Sequence, residues 1–109
     1  MKKEFCIMKE FKPYFTNKRF NGSERHEIFE GRNGNRDKSI EDGLVIFTTP
    51  QLHRTDRNSI HLNPEGWIWL KELGEKTWCE YYGKTKEDFR ERYGKNYLWK
   101  YQMELIKNY

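Results

Sequence analysis

The stretch Arg25-His26-Glu27-Ile28-Phe29 places an imidazole beside a carboxylate in a short run that predicts a β-strand. Farther along come the apolar run from Leu44 to Phe47, then His53, and then Ser59-Ile60-His61-Leu62-Asn63-Pro64, which predicts the start of a helix. All three histidines of the protein therefore fall at the ends of one strand–strand–helix unit. The groups best able to bind a metal ion are concentrated in that unit.

The composition indicates one folded domain. The chain has 109 residues, near the commonest size of a single domain, and 17% of them are aromatic, whereas disordered chains contain few aromatic residues. No apolar run approaches the roughly 20 residues of a membrane-spanning helix, and no signal-peptide pattern is present. We therefore expect a cytoplasmic protein with no membrane partner.

The net charge and the cysteine content limit the kinds of partner and of metal site that the chain can have. The net charge is +4, from 21 basic and 17 acidic residues, which suits a nucleic-acid partner without identifying one. The two cysteines, Cys6 and Cys79, stand far apart and form no Cys-x-x-Cys pair, so a cysteine-ligated zinc knuckle within one chain is excluded. Two free thiols in a reducing compartment are expected.

Turn and capping signals predict the order of the elements. Asn63-Pro64 is typical of a helix start, Gly83 of a helix end, and Thr85 with Asp88 of a capping box. The predicted elements are an irregular N-terminal segment, a strand over residues 24–30, a helical turn over 37–42, a strand over 43–47, a helix over 64–82, a second helix ending at Gly94, and a tail over 99–109. In the long helix, the spacing of Trp67, Leu70, Trp78 and Tyr81 predicts the buried face.

The loop over residues 31–36 has two interpretations. Its two glycines and two asparagines make positive φ angles easy, as in an ordinary hairpin loop. Alternatively, Arg32 and Arg36 contact DNA phosphates, whose geometry the forked guanidinium matches.

Hydrolysis of a phosphodiester requires a base, a divalent metal ion and groups that hold the strand. Histidine suits the first two roles, and carboxylates also bind metal ions. The available set is His26, Glu27, His53 and His61. Because adjacent residues of a regular strand point to opposite faces, His26 and Glu27 share one site only if the strand bulges or ends between them.

The sequence resembles the small phage and prophage HNH-type endonucleases of the ββα-metal fold, from about residue 25 to residue 98. The resemblance is carried by His26-Glu27-Ile28-Phe29, Gly31, Asn35-Arg36, Ser39-Ile40, Gly43-Leu44-Val45, His53-Arg54, Ile60-His61-Leu62-Asn63, Leu70, Trp78, Tyr82-Gly83, Phe89 and Tyr93-Gly94-Lys95-Asn96-Tyr97-Leu98. It implies an α+β fold in which residues 24–82 form the ββα core and residues 84–109 a C-terminal helical extension of a single domain.

The resemblance also implies roles. His26 would be the general base and Glu27 a metal ligand or a group that polarises it. In the His-His form of the motif, His26 would instead be a ligand and Glu27 would take the base position. His53 and His61 would complete a site for one divalent ion, Mg²⁺, Mn²⁺, Ni²⁺ or Zn²⁺. Asn63 would orient the site or only cap the helix. Arg32, Arg36 and Arg54 would bind nucleic acid.

Two functions follow as expectations. The first is a phage-encoded or prophage-encoded endonuclease that cuts DNA in the cytoplasm of the host bacterium. The second is a catalytically inactive scaffold that binds nucleic acid or a protein partner, for instance as an inhibitor of a host defence nuclease. Many relatives hold a structural zinc through cysteines, and this chain has none at the matching places, so no structural zinc knuckle is expected. The sequence leaves the oligomeric state open.

Overall fold

The computed structural model describes residues 5–11 and 14–97, which form an α+β fold around a two-stranded antiparallel sheet. Strand β1, Glu24–Glu27, pairs with strand β2, Val45–Thr48, so that His26 lies opposite Ile46. All four residues of β2 are buried, as expected for a continuous apolar run covered on both faces. Strand β2 therefore lies inside the molecule, whereas β1 is mostly half-buried and buries only His26 fully.

Three α-helices and three short helical turns surround the sheet within the described residues. In chain order they are a 3₁₀ turn over Arg32–Gly34, helix α1 over Asn35–Asp42, a π-helical turn over Gln51–Thr55, a 3₁₀ turn over Pro64–Trp67, helix α2 over Ile68–Tyr82 and helix α3 over Lys86–Tyr93.

Helix α1 begins two residues earlier than the sequence predicted, and a glycine in the left-handed region lies on each side of it. Gly34 has φ 70° before the helix and Gly43 has φ 79° after it. Gly43 therefore ends the helix, and the prediction that it opens the second strand was wrong. A Cβ at Gly43 would also come within 2.9 Å of the Phe5 ring. Both the backbone angle and the lack of space require glycine at this position.

Helix α2 begins later than predicted, after the 3₁₀ turn over Pro64–Trp67, and ends at Gly83 as expected. Gly74 does not interrupt the helix, and at this position the helix backbone passes close to the side chains of Ile28 and Phe29, which follow β1. A Cβ at Gly74 would lie 2.9 Å from the Phe29 ring. The assignment of Tyr81 to the buried face was wrong: 58% of that residue is exposed, and the adjacent Tyr82 faces inward.

The predicted capping box of helix α3 is confirmed. The Thr85 hydroxyl accepts a hydrogen bond from the Asp88 backbone N–H, and the Asp88 carboxylate accepts one from the Thr85 N–H. The helix ends at Gly94 in the left-handed region. The rest of the predicted extension, residues 98–109, lies outside the described residues.

Aromatic rings and one buried acid hold the helices on the sheet. The rings of Phe29, Phe89 and Tyr93 have centroids 4.6–5.1 Å apart. Asp42, at the end of α1, accepts hydrogen bonds from Trp78 of α2 and from Arg92 and Tyr93 of α3. This acid links all three helices.

The N-terminal segment is irregular, as predicted. Thr16 forms an isolated bridge to Phe47, and the Ile7 N–H donates to the Gly43 carbonyl oxygen. The predicted turn at Asn21-Gly22 is present, with Gly22 at φ 83°. Among the described residues, no helix has both the length and the apolar character required to span a membrane.

Candidate metal centre

The three histidines converge. The ring centroids of His53 and His61 are 4.6 Å apart, and His26 lies 5.1 Å from each of them. One ligand nitrogen from each ring can be chosen so that all three atoms lie within 4.8 Å of one another. The sequence-based prediction that imidazoles distant in number share one site is therefore confirmed for all three.

Three elements position these rings. His26 lies on β1 and is 4% exposed, and His53 lies in the π-helical turn and is 8% exposed. His61 follows on an irregular segment whose backbone is held against that turn: its N–H donates to the His53 carbonyl oxygen at 3.1 Å. The adjacent Ile60 N–H donates to the Leu52 carbonyl oxygen at 2.8 Å. These two backbone hydrogen bonds hold the segment that carries His61 beside the turn that carries His53.

Two of the rings have nitrogen atoms close to the spacing of ligands on a shared metal ion. The Nε2 atoms of His53 and His61 are 3.0 Å apart, which is also the separation of a hydrogen bond between the two rings. Two nitrogen ligands, each about 2.0–2.1 Å from a shared tetrahedral ion, lie roughly 3.3 Å from each other. Three neutral imidazoles with an open fourth position are a donor set found in catalytic zinc sites. His61 is exposed, so the imidazole cluster can be reached from solvent at this ring.

Glu24 orients His53, a role that the sequence analysis missed. The Nδ1 atom of His53 lies 2.9 Å from the Glu24 carboxylate, and Arg54 binds the other oxygen of that carboxylate, also at 2.9 Å. A proton on Nδ1 leaves Nε2 of His53 free to bind a metal ion. The sequence does contain a signal for this residue, because Glu24 precedes His26 by two positions and therefore lies on the same face of β1.

Burial determines the protonation state of the innermost ring. It is the main cause that lowers the pKa of His26 to about 3, and the neighbouring His53, His61 and Lys71 contribute to the same shift. The pKa of Glu24 is also lowered, by the hydrogen bonds from His53 and Arg54. His26 is therefore neutral, which is the form that binds a metal ion.

Glu27 does not join the three imidazoles. It lies beyond His26 on the strand, and its carboxylate binds Arg25 at 2.7 Å and Arg36 at 3.1 Å. The alternation of side chains along β1 thus separates the two motif residues, as strand geometry requires. Glu27 instead lines a cavity that His53 and His61 also border.

That cavity, which we call the arginine groove, has a volume of about 640 Å³. It is lined by Arg19, Ser23, Glu24, Arg25, Glu27, Glu30, Arg36, His53, Arg54 and His61. Of the arginines predicted to bind nucleic acid, Arg36 and Arg54 border it, with side chains 68% and 60% exposed. The third, Arg32, has a side chain outside what the structure describes.

Asn63 lies apart from the imidazoles. It precedes the turn over Pro64–Trp67, as predicted for a helix cap, but its side chain accepts no hydrogen bond from that turn. The Asn63 side chain covers Gly66 and lines a separate cavity bordered by Trp67 and Trp69. The two cysteines are free thiols.

Comparison with models of protein families, with curated proteins and with solved structures found no match to this chain.

Proposed function

We propose that this chain is a divalent-metal-dependent endonuclease of the HNH type, which hydrolyses phosphodiester bonds in DNA. The observation that carries this proposal is the convergence of His26, His53 and His61, with His53 oriented by Glu24. Three imidazoles whose ligand nitrogen atoms all lie within 4.8 Å of one another, one of them held by a carboxylate on its other nitrogen, resemble a metal-ligand set. The two-stranded sheet followed by helix α2 supports a ββα core.

The geometry favours the second of the two role assignments. All three imidazoles take part in the cluster, so His26 would be a ligand rather than the base. Glu27 would then occupy the base position, on the groove that His53 and His61 border. Arg25 and Arg36 hold its carboxylate in place. In this role Glu27 accepts a proton from the attacking water.

When bound, a divalent ion would supply Lewis acidity to the phosphate and the leaving oxygen. The chain supplies the remaining requirement, a surface that holds the strand. Four arginines and three glutamates line the arginine groove, so its walls carry a small positive excess. Arg36 and Arg54 each keep guanidinium N–H groups beyond those used by their glutamate partners, and these groups can bind phosphate.

Metal binding and plasmid nicking test the proposal together. Purified protein is titrated with Ni²⁺ or Zn²⁺ by calorimetry and then incubated with supercoiled plasmid and Mg²⁺, Mn²⁺, Ni²⁺ or Zn²⁺. We expect His61→Ala to lose both metal binding and nicking, since this exposed ring is replaced without opening the core. Glu27→Gln should keep metal binding and lose nicking by about 10²- to 10⁴-fold, as expected for loss of a general base. Lys84→Ala, on the exposed connection between α2 and α3, is the control.

Each negative result has a distinct meaning. Wild-type nicking that persists undiminished in His61→Ala and Glu27→Gln would exclude this site. Metal and DNA binding without cleavage under any metal would instead favour the inactive scaffold. Circular dichroism of each variant separates these outcomes from loss of the fold.

A further inference from the structure

A second cavity opens beside the three imidazoles, and we call it the side pocket. Its volume is about 240 Å³. His26 and His61 form part of its wall, together with five mainly apolar residues: Ile28, Ile60, Pro64, Trp67 and Leu70. Lys71 and Glu30 complete it. His61 and Glu30 also line the arginine groove, so the two cavities adjoin at these residues.

The size of the side pocket suits one flat ring system. An engineered apolar cavity of about 150 Å³ binds benzene, and sites for drug-sized molecules begin near 300 Å³. At about 240 Å³, the pocket fits a one-ring or two-ring heterocycle.

The walls of the side pocket can pack against a flat ring and donate hydrogen bonds to it, and they carry little net charge. Trp67 is held in place, because its indole N–H donates to the Asn58 carbonyl oxygen at 2.8 Å and its ring stacks on Trp69 with centroids 5.3 Å apart. Lys71, which is half-buried, provides N–H donors. The pocket contains no arginine, and Glu30 opposes the charge of Lys71, so its chemistry does not favour a phosphate.

These observations point to one occupant. Resting on the proposed function, we propose that the side pocket binds the base of a single nucleotide next to the phosphate at the imidazole cluster, while the arginine groove holds the backbone. A base in a duplex is stacked and paired, and its removal from the stack has an energetic cost that an unpaired base avoids. The preferred substrate class is therefore DNA with an unpaired nucleotide at the site of cutting, such as a single strand.

An abasic scan tests this inference on the unmodified protein. A short fluorescent single strand is bound in the presence of EDTA, which prevents cleavage, and affinity is measured by anisotropy. The same strand is then prepared with one abasic sugar at each successive position, which removes a base and keeps every phosphate. We expect one position, or two adjacent ones, to lose affinity by about 5- to 150-fold, the range for stacking of one base. The fully paired duplex should bind more weakly than the single strand.

A variant pair tests the pocket itself. Lys71→Gln should weaken binding of the intact strand and leave binding of the sensitive abasic strand unchanged, because the base it contacts is already missing. Lys76→Gln, at a half-buried position on the same helix, should affect neither strand. An equal loss for both strands in Lys71→Gln would mean that Lys71 contacts phosphate and would overturn the inference.

The failures of the two proposals are distinguishable. A flat abasic scan, with tight binding and metal-dependent cleavage intact, would overturn the base pocket alone. Absence of both binding and cleavage would overturn the proposed function and this inference with it.

Discussion

His53 is oriented from outside the imidazole cluster, because its Nδ1 atom lies 2.9 Å from the carboxylate of Glu24. This contact fixes the ring and places the free lone pair on Nε2, which faces His61. The carboxylate–histidine pair is the arrangement that tunes metal ligands in general.

Substitution of Glu24 should therefore weaken metal binding without removing a ligand. We expect Glu24→Ala to lose about 10- to 100-fold in affinity for Ni²⁺ or Zn²⁺, the range typical of such outer partners. Glu24→Gln should recover part of that loss, since its amide oxygen still accepts the Nδ1 proton. Competition with a chromogenic chelator measures both variants. Equal affinity of Glu24→Ala and the wild type would contradict a positioning role.

The groove arginines should determine the salt dependence of DNA binding. Each phosphate contact contributes about 0.7–0.9 to the slope of log K against log salt, so Arg36→Ala should reduce the magnitude of that slope by about this amount. Arg90→Ala removes the same charge from an exposed position on α3, away from the groove, and should leave the slope unchanged. Filter binding over a range of salt concentrations gives both slopes. Identical slopes for the two variants would show that the groove does not hold the backbone.

The close approach of helix α2 to the Phe29 side chain predicts a stability effect at Gly74. Alanine normally favours a helix over glycine by about 1 kcal/mol. Here the added Cβ would lie 2.9 Å from the buried Phe29 ring, and such overpacking costs about 1–3 kcal/mol. We expect Gly74→Ala to lower the free energy of unfolding by about 1 kcal/mol net, measured by urea denaturation. Glu80→Ala, exposed on the same helix, should change it little; a stabilised Gly74→Ala would refute the close approach.

The sequence predicted the elements that local signals define. The capping box at Thr85, the left-handed end at Gly83 and the apolar strand β2 each depend on a few neighbouring residues. The shared site of the three histidines was also predictable, because they lie at the ends of one strand–strand–helix unit.

Features that depend on packing between distant segments were not predictable. The sequence places Glu24 on the same face of β1 as His26, but it does not indicate the π-helical turn that brings His53 to Glu24. It also does not indicate that Gly74 meets Phe29. The side-chain face at Tyr81 and Tyr82 was misassigned for a related reason, since helix spacing alone leaves about one position of ambiguity at a helix end.

The hydrogen bond from Tyr93 to Asp42 predicts how stability changes in alkaline solution. Burial is the main cause that raises the pKa of Tyr93, and the carboxylate of Asp42, 2.6 Å from its hydroxyl, raises it further. Above pH 10 the unfolded chain loses the Tyr93 proton while the folded chain keeps it. The unfolded state then binds fewer protons, so the free energy of unfolding falls as the pH rises.

The substitution Tyr93→Phe removes the ionisable hydroxyl group and therefore tests this prediction directly. The variant should be less stable near pH 7 by about 1.5–3 kcal/mol, since it loses a hydrogen bond to a charged acceptor. Between pH 10 and 12 its stability should fall less steeply than that of the wild type, by up to about 1.4 kcal/mol per pH unit. Tyr82 and Tyr97, whose pKa values are also raised, are present in both proteins and cancel in the comparison. Urea denaturation at a series of pH values measures both slopes, and parallel curves would show that Tyr93 does not keep its proton in the folded chain.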